Sequence, residues 1–301
     1  MNTIISDETI LLKGKPVSKH IREKLTSQIN ELKIKRNIVP KLAVIIVGSD
    51  PASQVYVNSK TKAFNKMECA SETYALPAEF GESDLIEIIE GLNKDVSVHG
   101  ILVQLPLPKS MNTRKILMAV SPFKDVDGFH PLNIGHLFEG HPKFIPCTPN
   151  GIIEILDFYN IETDGCHAVI VGRSNIVGKP MFGLLSQKLR KGNATVTMCH
   201  TGTKNLSYFT KQADLLIVAT GIPKYITSEM ISENVNIIDV GINRIEDLNS
   251  PKGYKLVGDV DFNNCIEKAN SITPVPGGVG PMTITMLLNN TVISAQKTSI
   301  K

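Results

Sequence analysis

A tyrosine and a lysine stand four residues apart in the segment "YVNSKTK", as Tyr56 and Lys60. On a helix this spacing places both side chains on one face, one turn apart. A phenol beside an amine can handle protons, although the same spacing also suits a solvated face with a single aromatic residue. Asp50 followed by Pro51 is a good helix start, because aspartate caps the first turn and proline fits it. We therefore expect a helix near residues 52–67 that carries the pair.

Other polar residues stand where a strand or a turn ends. Gln104 lies near the end of the apolar run "VHGILVQLP", and the prolines after it end strand pairing. The carboxyl ends of strands are where α/β sheets bind ligands. Asp125 and Asp127 lie in the turn-rich segment "FKDVDGFHPLN". Taken singly, each residue is more simply explained as structural, for example as a strand cap or a turn former.

The glycine-containing segment "VIVGRSNIVGKP" follows a strand-like run and opens a helix-like one. Amides and the dipole at such a helix start favour the phosphates of a dinucleotide. Gly172 and Gly178 match two positions of the dinucleotide fingerprint, but Ser174 replaces the second glycine. The segment therefore fits either a phosphate loop or a tight turn without a ligand.

The residues around this loop favour NADP over NAD. The next strand-like run ends in "TMCHTGTKN", without the acidic residue that holds the ribose hydroxyls of NAD. Arg173 lies in the loop, beside Ser174, and Thr201 follows the next strand. A cation and two hydroxyls suit a 2′-phosphate, which needs charge neutralisation and donors. The alternative is that Arg173 is only a surface arginine.

Apolar runs of strand length alternate with helix-like segments along most of the chain, at 41–48, 98–106, 167–172, 194–200, 213–221 and 235–241. This alternation implies α/β folding with parallel sheets covered on both faces. The proline-bearing segment "IPCTPNG" resembles a domain boundary. We predict an N-terminal α/β catalytic domain of residues 1–148 plus 281–301, and a Rossmann-type parallel-sheet NADP domain of residues 149–280, with a deep cleft between them.

Composition excludes several classes of protein. The formal charge of the 301 residues is +3, and no basic stripe interleaves with aromatics, so we expect no nucleic-acid partner. The apolar runs are too short to cross a bilayer and the N terminus lacks a signal-peptide pattern, which predicts a cytoplasmic protein without a membrane partner. The five cysteines contain no Cys-x-x-Cys pair, and glycines and prolines separate the clustered histidines. We expect reduced thiols and no metal site.

Eight segments occur in order: "YVNSK", "VQLPLP", "KDVDGFHPLNIG", "IPCTPNG", "VGRSNIVGKP", "ADLLIVATG", "IIDVGIN" and "ITPVPGGVGPMT". Together they resemble the bifunctional methylenetetrahydrofolate dehydrogenase/methenyltetrahydrofolate cyclohydrolase family, over nearly the whole chain. The resemblance implies oxidation of 5,10-methylenetetrahydrofolate with NADP to the methenyl cation, and then hydrolysis to 10-formyltetrahydrofolate. It also implies tetrahydrofolate derivatives as ligands and a homodimer built on the cofactor domain.

The resemblance assigns roles to the polar residues of the first half. Lys60 is implied as the acid/base residue of the cyclohydrolase step, and Gln104 as the group that positions the lysine or the water. Tyr56 is implied to pack on the folate ring, and Asp127 to accept hydrogen bonds from the pterin. In short-chain dehydrogenases a similar Tyr-x-x-x-Lys pair follows the glycine loop. Here it precedes that loop, which argues against that family.

The resemblance also assigns roles in the second half. Pro276, Gly277 and Gly278 are implied to bring backbone close to the folate, and Ile242 to lie where the nicotinamide rests. Cys147 has no evident base beside it and is expected to be structural, as is Asp125.

Three alternatives stay open at this point. The nearest is a monofunctional dehydrogenase of the same fold, which the presence of Lys60 disfavours without excluding it. Another two-domain dehydrogenase, of the shikimate or amino-acid type, would have no use for a carboxylate in a pterin slot. A non-catalytic folate- or nucleotide-binding protein would not need Lys60 or Gln104, and both are present.

Overall fold

The computed structural model describes residues 9–247, 250 and 253–298. The chain divides into two compact units. The small-sheet unit contains His20–Cys147 and the described residues from Ile284 onward. The large-sheet unit contains Thr148–Thr283 and the described residues up to Lys19. Each unit therefore combines a central part of the chain with a segment from one of its ends.

The described residues form ten α-helices, one short 3₁₀-helix (Ser228–Met230) and eleven strands. The helices are α1 Gly14–Arg36, α2 Pro51–Lys66, α3 Glu82–Lys94, α4 Thr113–Ala119, α5 Pro131–Phe138, α6 Cys147–Phe158, α7 Gly178–Leu185, α8 Leu206–Thr210, α9 Phe262–Cys265 and α10 Gly280–Lys297. The strands are β1 Ile10–Leu11, β2 Lys41–Val47, β3 Ala70–Leu76, β4 Gly100–Val103, β5 His167–Val171, β6 Thr195–Cys199, β7 Leu215–Val218, β8 Val235–Asp239, β9 Asn243–Glu246, β10 Tyr254–Val257 and β11 Ala269–Ile272. None of the described helices is both long and apolar enough to span a membrane.

The small-sheet unit is built on three parallel strands in the order β3-β2-β4. The central strand β2 is buried on both faces, as its continuous apolar sequence predicts. Its residues Ala43, Ile45 and Val47 share a core cluster with Leu85 and Ile89 of α3. The loop after β2 leads directly into α2, so the start of this helix is fixed to the carboxyl end of the sheet.

The large-sheet unit is built on six parallel strands in the order β1-β11-β8-β7-β5-β6. Five strands of this sheet follow β1 in the chain, namely β5, β6, β7, β8 and β11. When these five are renumbered 1 to 5, they lie side by side in the order 2-1-3-4-5, a doubly wound order related to the Rossmann fold. The order reverses between β5 and β7, and ligands of such sheets bind at this reversal. The predicted parallel sheet of this unit is thus confirmed.

The compact units and the predicted domains divide the N terminus differently. The predicted catalytic domain includes the N-terminal segment, whereas the described residues up to Lys19 lie in the large-sheet unit. The reason is that β1 pairs in parallel with β11, with Ile10 opposite Ser271. A strand of two residues carries too little pattern to be recognised in the sequence.

Candidate active site

Helix α2 presents Tyr56 and Lys60 in different environments. The carboxylate of Asp50 accepts a 2.8 Å hydrogen bond from the Ser53 amide, which caps the helix as predicted. Lys60 is only 7% exposed, whereas Tyr56 is 44% exposed. Burial raises the pKa of the Tyr56 phenol. The helix thus turns the amine inward and leaves the aromatic ring accessible to a ligand.

The Lys60 amine is held by Gln104, the first residue after β4. Its Nζ donates a 2.9 Å hydrogen bond to Gln104 Oε1, and Gln104 Nε2 donates to the Leu105 carbonyl at 2.7 Å. The glutamine amide is thereby fixed with its oxygen toward the amine. Burial lowers the pKa of Lys60, and the negative charge of Asp127 opposes this effect. The site therefore holds a lysine whose neutral form is more accessible than that of a free lysine.

Asp127 and Cys147 complete this cluster. Burial raises the pKa of Asp127, while the charge of Lys60 and a hydrogen bond from the Cys147 thiol lower it. Cys147 is 1% exposed, and burial raises the pKa of its thiol well above the ordinary value. The Val126 carbonyl, 3.4 Å from Sγ, is a second acceptor for the single thiol proton. A buried, protonated thiol with these partners agrees with the structural role expected for Cys147.

Asp125 organises the turn that carries Asp127. One of its oxygens accepts from the Phe129 amide at 3.2 Å. The other accepts from the His130 amide at 2.8 Å and from Asn133 Nδ2 at 2.7 Å. Burial raises the pKa of Asp125 to about 6. Asp125 therefore acts within the protein, and Asp127 is the carboxylate of this segment that faces Lys60.

The glycine loop of the large-sheet unit is packed so tightly that it excludes side chains. Gly172 has φ +134°, and a Cβ at this position would lie 2.2 Å from the Ala219 carbonyl oxygen. A Cβ at Gly178 would lie 2.1 Å from the Gly172 oxygen. Ser174 Oγ accepts from the Val177 amide at 3.1 Å, at the start of α7. The loop after β5 thus brings backbone and a serine hydroxyl to the helix N terminus, an arrangement that suits a phosphate.

Arg173 and Thr201 lie just beyond the carboxyl ends of neighbouring strands. Val171 of β5 is paired with Cys199 of β6, so each residue stands two positions past its paired strand end. Both residues are exposed. Within the described part of the chain, Arg173 forms no hydrogen bond or ion pair. Its charge is therefore available to a ligand.

The other predicted residues of this unit lie in the loops after β8 and β11. Ile242 is 43% exposed, and its Cδ1 lies 3.4 Å from the point where a Cβ on Gly280 would stand. Pro276 is exposed, whereas Gly278 is buried. Gly277 has φ +113°, a backbone conformation that favours glycine. The loop after β11 therefore presents mainly backbone atoms at Pro276–Gly278, because two of these three residues are glycines.

Gly14, at the start of α1, is a residue that sequence reasoning missed. Its amide donates a 2.9 Å hydrogen bond to the Gly277 carbonyl. A Cβ at Gly14 would lie only 2.0 Å from the Gly278 oxygen. The N-terminal segment therefore supports the loop at Pro276–Gly278, a relationship between distant parts of the chain that no local spacing could indicate.

The two units correspond to two known domain types. Residues 12–127 match the catalytic domain of tetrahydrofolate dehydrogenase/cyclohydrolase, and residues 146–299 match the NAD(P)-binding domain of the same enzymes. The chain belongs to this family. The resemblance inferred from the eight motifs is confirmed, and so is the two-domain α/β fold.

Relatives in the family are similar over nearly their whole length. The bifunctional protein FolD of Chloroherpeton thalassium is 54% identical over 95% of this chain and 98% of its own. The FolD protein of Streptococcus mutans is 50% identical over 97% of this chain and 100% of its own. The crystal structure of the bifunctional FolD enzyme from Campylobacter jejuni is 49% identical, with a TM-score of 0.90 over 96% of this chain and 99% of that chain.

A further solved member of the family is described with its ligands. The methylenetetrahydrofolate dehydrogenase-cyclohydrolase of Trypanosoma brucei, complexed with NADP cofactor and inhibitor, is 34% identical. Its TM-score is 0.91, over 97% of this chain and 99% of that chain.

The predicted site residues form two groups, each on its own unit. In the small-sheet unit, Lys60 and Gln104 are in contact, Asp127 influences the pKa of Lys60, and Tyr56 lies one turn away on α2. In the large-sheet unit, the predicted residues follow the carboxyl ends of four strands: Gly172, Arg173 and Ser174 after β5, Thr201 after β6, Ile242 after β8, and Pro276, Gly277 and Gly278 after β11. No group of three His, Cys, Asp or Glu side chains suited to a metal ion occurs among the residues that the structure describes.

Proposed function

We propose that the protein oxidises 5,10-methylenetetrahydrofolate with NADP to the 5,10-methenyl cation and then hydrolyses this cation to 10-formyltetrahydrofolate. The observation that carries the proposal is the hydrogen bond from the buried Lys60 amine to Gln104, at 2.9 Å. It lies in the unit that matches the family's catalytic domain. The second unit matches the NAD(P)-binding domain and supplies a phosphate loop.

Lys60 serves the cyclohydrolase step as the group that moves protons. Water adds to the methenyl carbon and loses one proton to leave a hydroxyl. The bond from that carbon to N5 then breaks as the hydroxyl loses its own proton and becomes the formyl oxygen, and N5 gains a proton. The neutral Lys60 amine accepts the proton from the water and returns it at N5, so that one proton is released overall. Burial supports this role, because it lowers the pKa of Lys60 toward neutral pH. Gln104 keeps the amine in place without adding charge.

NADP fits the large-sheet unit. The space beside Gly172 and Gly178 admits no side chain, and the loop ends at the N terminus of α7. Arg173 is exposed and unpaired in the described part of the chain, and Ser174 and Thr201 supply hydroxyls for a 2′-phosphate. When bound, NADP supplies the nicotinamide carbon that accepts the hydride from the methylene carbon. The solved Trypanosoma brucei relative with bound NADP supports the choice of cofactor.

Tyr56, Asp127 and the backbone of Pro276–Gly278 offer contacts that suit the folate. The half-exposed ring of Tyr56 is placed to pack on a planar ligand beside Lys60. Asp127 offers a carboxylate to the amino and ring N–H groups of a pterin. The backbone of Pro276–Gly278 suits the close approach of a flat ring, because two of its three residues lack a side chain.

The test measures both activities in one preparation. Purified protein is incubated with 5,10-methylenetetrahydrofolate and NADP, and NADPH and 10-formyltetrahydrofolate are followed separately. A second assay supplies methenyltetrahydrofolate without NADP, so that hydrolysis is measured alone. We expect both products and accelerated hydrolysis. NADPH without accelerated hydrolysis would leave a monofunctional dehydrogenase, and neither product, with NAD also tried, would refute the folate assignment.

We also propose that the protein is a cytoplasmic homodimer. The hairpin β9–β10 pairs with no other described strand, so its edges are open to a second copy. All five cysteines are free, which suits a reducing compartment. Light scattering after size exclusion would test the dimer, and cell fractionation would test the compartment.

A further inference from the structure

Two carboxylates are buried at the carboxyl end of the six-stranded sheet. Asp239, the last residue of β8, is 2% exposed, and Asp259, after β10, is fully buried. No lysine or arginine in the described ranges forms an ion pair with either of them. Burying a charge is costly unless hydrogen bonds replace those of water. The hydrogen-bond donors around these two carboxylates therefore indicate which segments of the unit the carboxylates hold together.

Asp239 anchors the segment that contains Asp259. One oxygen of Asp239 accepts from the Gly241 amide at 3.0 Å and from the Asp259 amide at 2.9 Å. The other oxygen accepts from the Val260 amide at 3.0 Å. The end of β10 is thereby fixed to the end of β8.

Asp259 in turn holds two different loops. Its Oδ2 accepts from the Thr220 amide at 2.6 Å and the Gly221 amide at 2.9 Å, both in the loop after β7. Its Oδ1 accepts from Asn243 Nδ2 at 2.8 Å, beyond the loop after β8. A Cβ on Gly241 would lie only 2.1 Å from this oxygen, so the carboxylate fills the space between the loops.

Both loops border the residues assigned to the cofactor. The loop after β7 begins at Ala219, whose carbonyl oxygen sets the close packing at Gly172 of the phosphate loop. Asn243 directly follows Ile242, the residue assigned to the nicotinamide end. A single buried carboxylate thus connects the backbone behind the phosphates with the backbone behind the nicotinamide.

We propose that Asp259 is a positioning residue for NADP, which sets the loops after β7 and β8 at the spacing that the cofactor requires. This inference rests on the proposed function, because it takes NADP as the ligand of this edge. It adds a residue that contacts no predicted ligand directly. It also separates the two activities, since hydrolysis of methenyltetrahydrofolate consumes no NADP.

The test compares NADPH binding, followed by fluorescence, with hydrolysis measured without NADP. In Asp259→Ala the three donors lose their acceptor, and we expect at least about tenfold weaker NADPH binding, equivalent to about 1.4 kcal/mol, with hydrolysis retained. In Asp259→Asn one oxygen still serves Thr220 and Gly221, and Asn243 can rotate its amide to accept from the new NH₂ group. We therefore expect this isosteric variant to bind NADPH within about threefold of wild type.

Asp214→Ala is the matched control. The carboxylate of Asp214 accepts from the His167 amide at 2.8 Å, at the amino end of the same sheet. This variant should bind NADPH as wild type does. Equal NADPH affinities for Asp259→Ala and Asp214→Ala would overturn the proposal.

A further variant covers the case in which Asp259→Ala fails to fold. Asn243→Ala removes only the link to the loop after β8, and it should weaken NADPH binding while hydrolysis persists. Unchanged NADPH affinity in Asn243→Ala would then overturn the proposal. Wild type that neither binds NADPH nor forms it would instead overturn the proposed function, which distinguishes the two failures.

Discussion

Lys60 Nζ and Gln104 Oε1 are joined by a 2.9 Å hydrogen bond between a helix and the end of a strand. The partner of the amine is neutral, so it orients the lysine without raising its pKa as a carboxylate in contact would. The glutamine is itself fixed through its NH₂ group to the Leu105 carbonyl. This geometry favours proton transfer by Lys60 over a purely structural ion pair.

Replacing Lys60 by methionine should strongly slow hydrolysis while approximately keeping the volume of the side chain. Because the group that moves the proton is lost, we expect a decrease of about 10²–10⁴-fold in hydrolysis of methenyltetrahydrofolate. Formation of NADPH should fall less, since hydride transfer needs no protein base. Lys62→Met, on an exposed position of the same helix, is the control and should retain both activities. Retained hydrolysis in Lys60→Met would refute the role of Lys60.

Replacing Asp127 by asparagine should lower the pKa of Lys60 further. In wild type the charge of Asp127 raises this pKa and so opposes the effect of burial. Without that charge, the neutral amine should form at lower pH, and the rising limb of the pH–hydrolysis profile should move to lower pH. An NMR titration of ¹³C-labelled lysine would measure the pKa directly, with the Lys62 signal as an internal reference. An unchanged or higher pKa of Lys60 would contradict this prediction.

The substitution Gly14→Ala, which adds one methyl group, should displace the loop at Pro276–Gly278. The new Cβ would stand 2.0 Å from the Gly278 oxygen, so backbone must move. We expect the free energy of unfolding to fall by about 2 kcal/mol, as in other overpacked sites, and the folate KM to rise. Gly91→Ala is the control, because a Cβ there meets nothing within 4 Å. This change within α3 should stabilise the protein by about 0.5–1 kcal/mol. Urea unfolding would measure the free energy of unfolding of both variants, and the rate of NADPH formation at several folate concentrations would give the KM.

Buried His99 should make the fold less stable in mild acid. Its Nδ1 accepts from the Lys41 amide at 3.1 Å, and burial lowers its pKa from 6.5 to about 4. Between these two values the unfolded chain binds a proton that the folded chain does not. The contribution of His99 to the free energy of unfolding is therefore fully present above pH 6.5 and decreases as the pH falls toward 4.

The variant His99→Asn keeps an acceptor but cannot titrate. We expect urea unfolding at several pH values to show that wild type loses stability relative to this variant as the pH falls from 6.5 toward 4. Asp125, whose pKa burial raises to about 6, acts in the opposite direction, but it is present in every variant and cancels in the comparison. His141→Asn, at an exposed position, is the control and should keep the wild-type slope. Equal slopes for His99→Asn and wild type would show that His99 is not responsible.

Local sequence patterns predicted the elements that contain strong local signals. The cap at Asp50 placed α2 within one residue at each end, and the six apolar runs all contain strands. The strand β3 was missed because it lies at a sheet edge and its sequence, "ASETYAL", is largely polar. The strand β1 has only two residues, too few to carry a pattern. The strands of the hairpin β9–β10 have four residues each and mix polar with apolar side chains, so they were missed as well.

The site was predictable only in part. The sequence placed Lys60 on a helix and Gln104 at a strand end, and the family motifs suggested that they act together. Their contact depends on how α2 packs on the small sheet, which no local pattern encodes. Gly14 and Asp259 were missed because their partners, Gly277 and Thr220, are distant in the sequence. Contacts of this kind are set by tertiary packing.

The pairing of β1 with β11 has a consequence for synthesis on the ribosome. Ile10 leaves the ribosome long before its partner Ser271 is made. The edge of the large sheet therefore stays incomplete until β11 has been made, and closing so long a loop costs entropy. Asn290 donates hydrogen bonds to the Val126 and Ile145 carbonyls in the small-sheet unit, so that unit is completed only after Asn290 has been made. A nascent chain stalled before residue 269 would lack strand β11 and helix α10, which complete the two units.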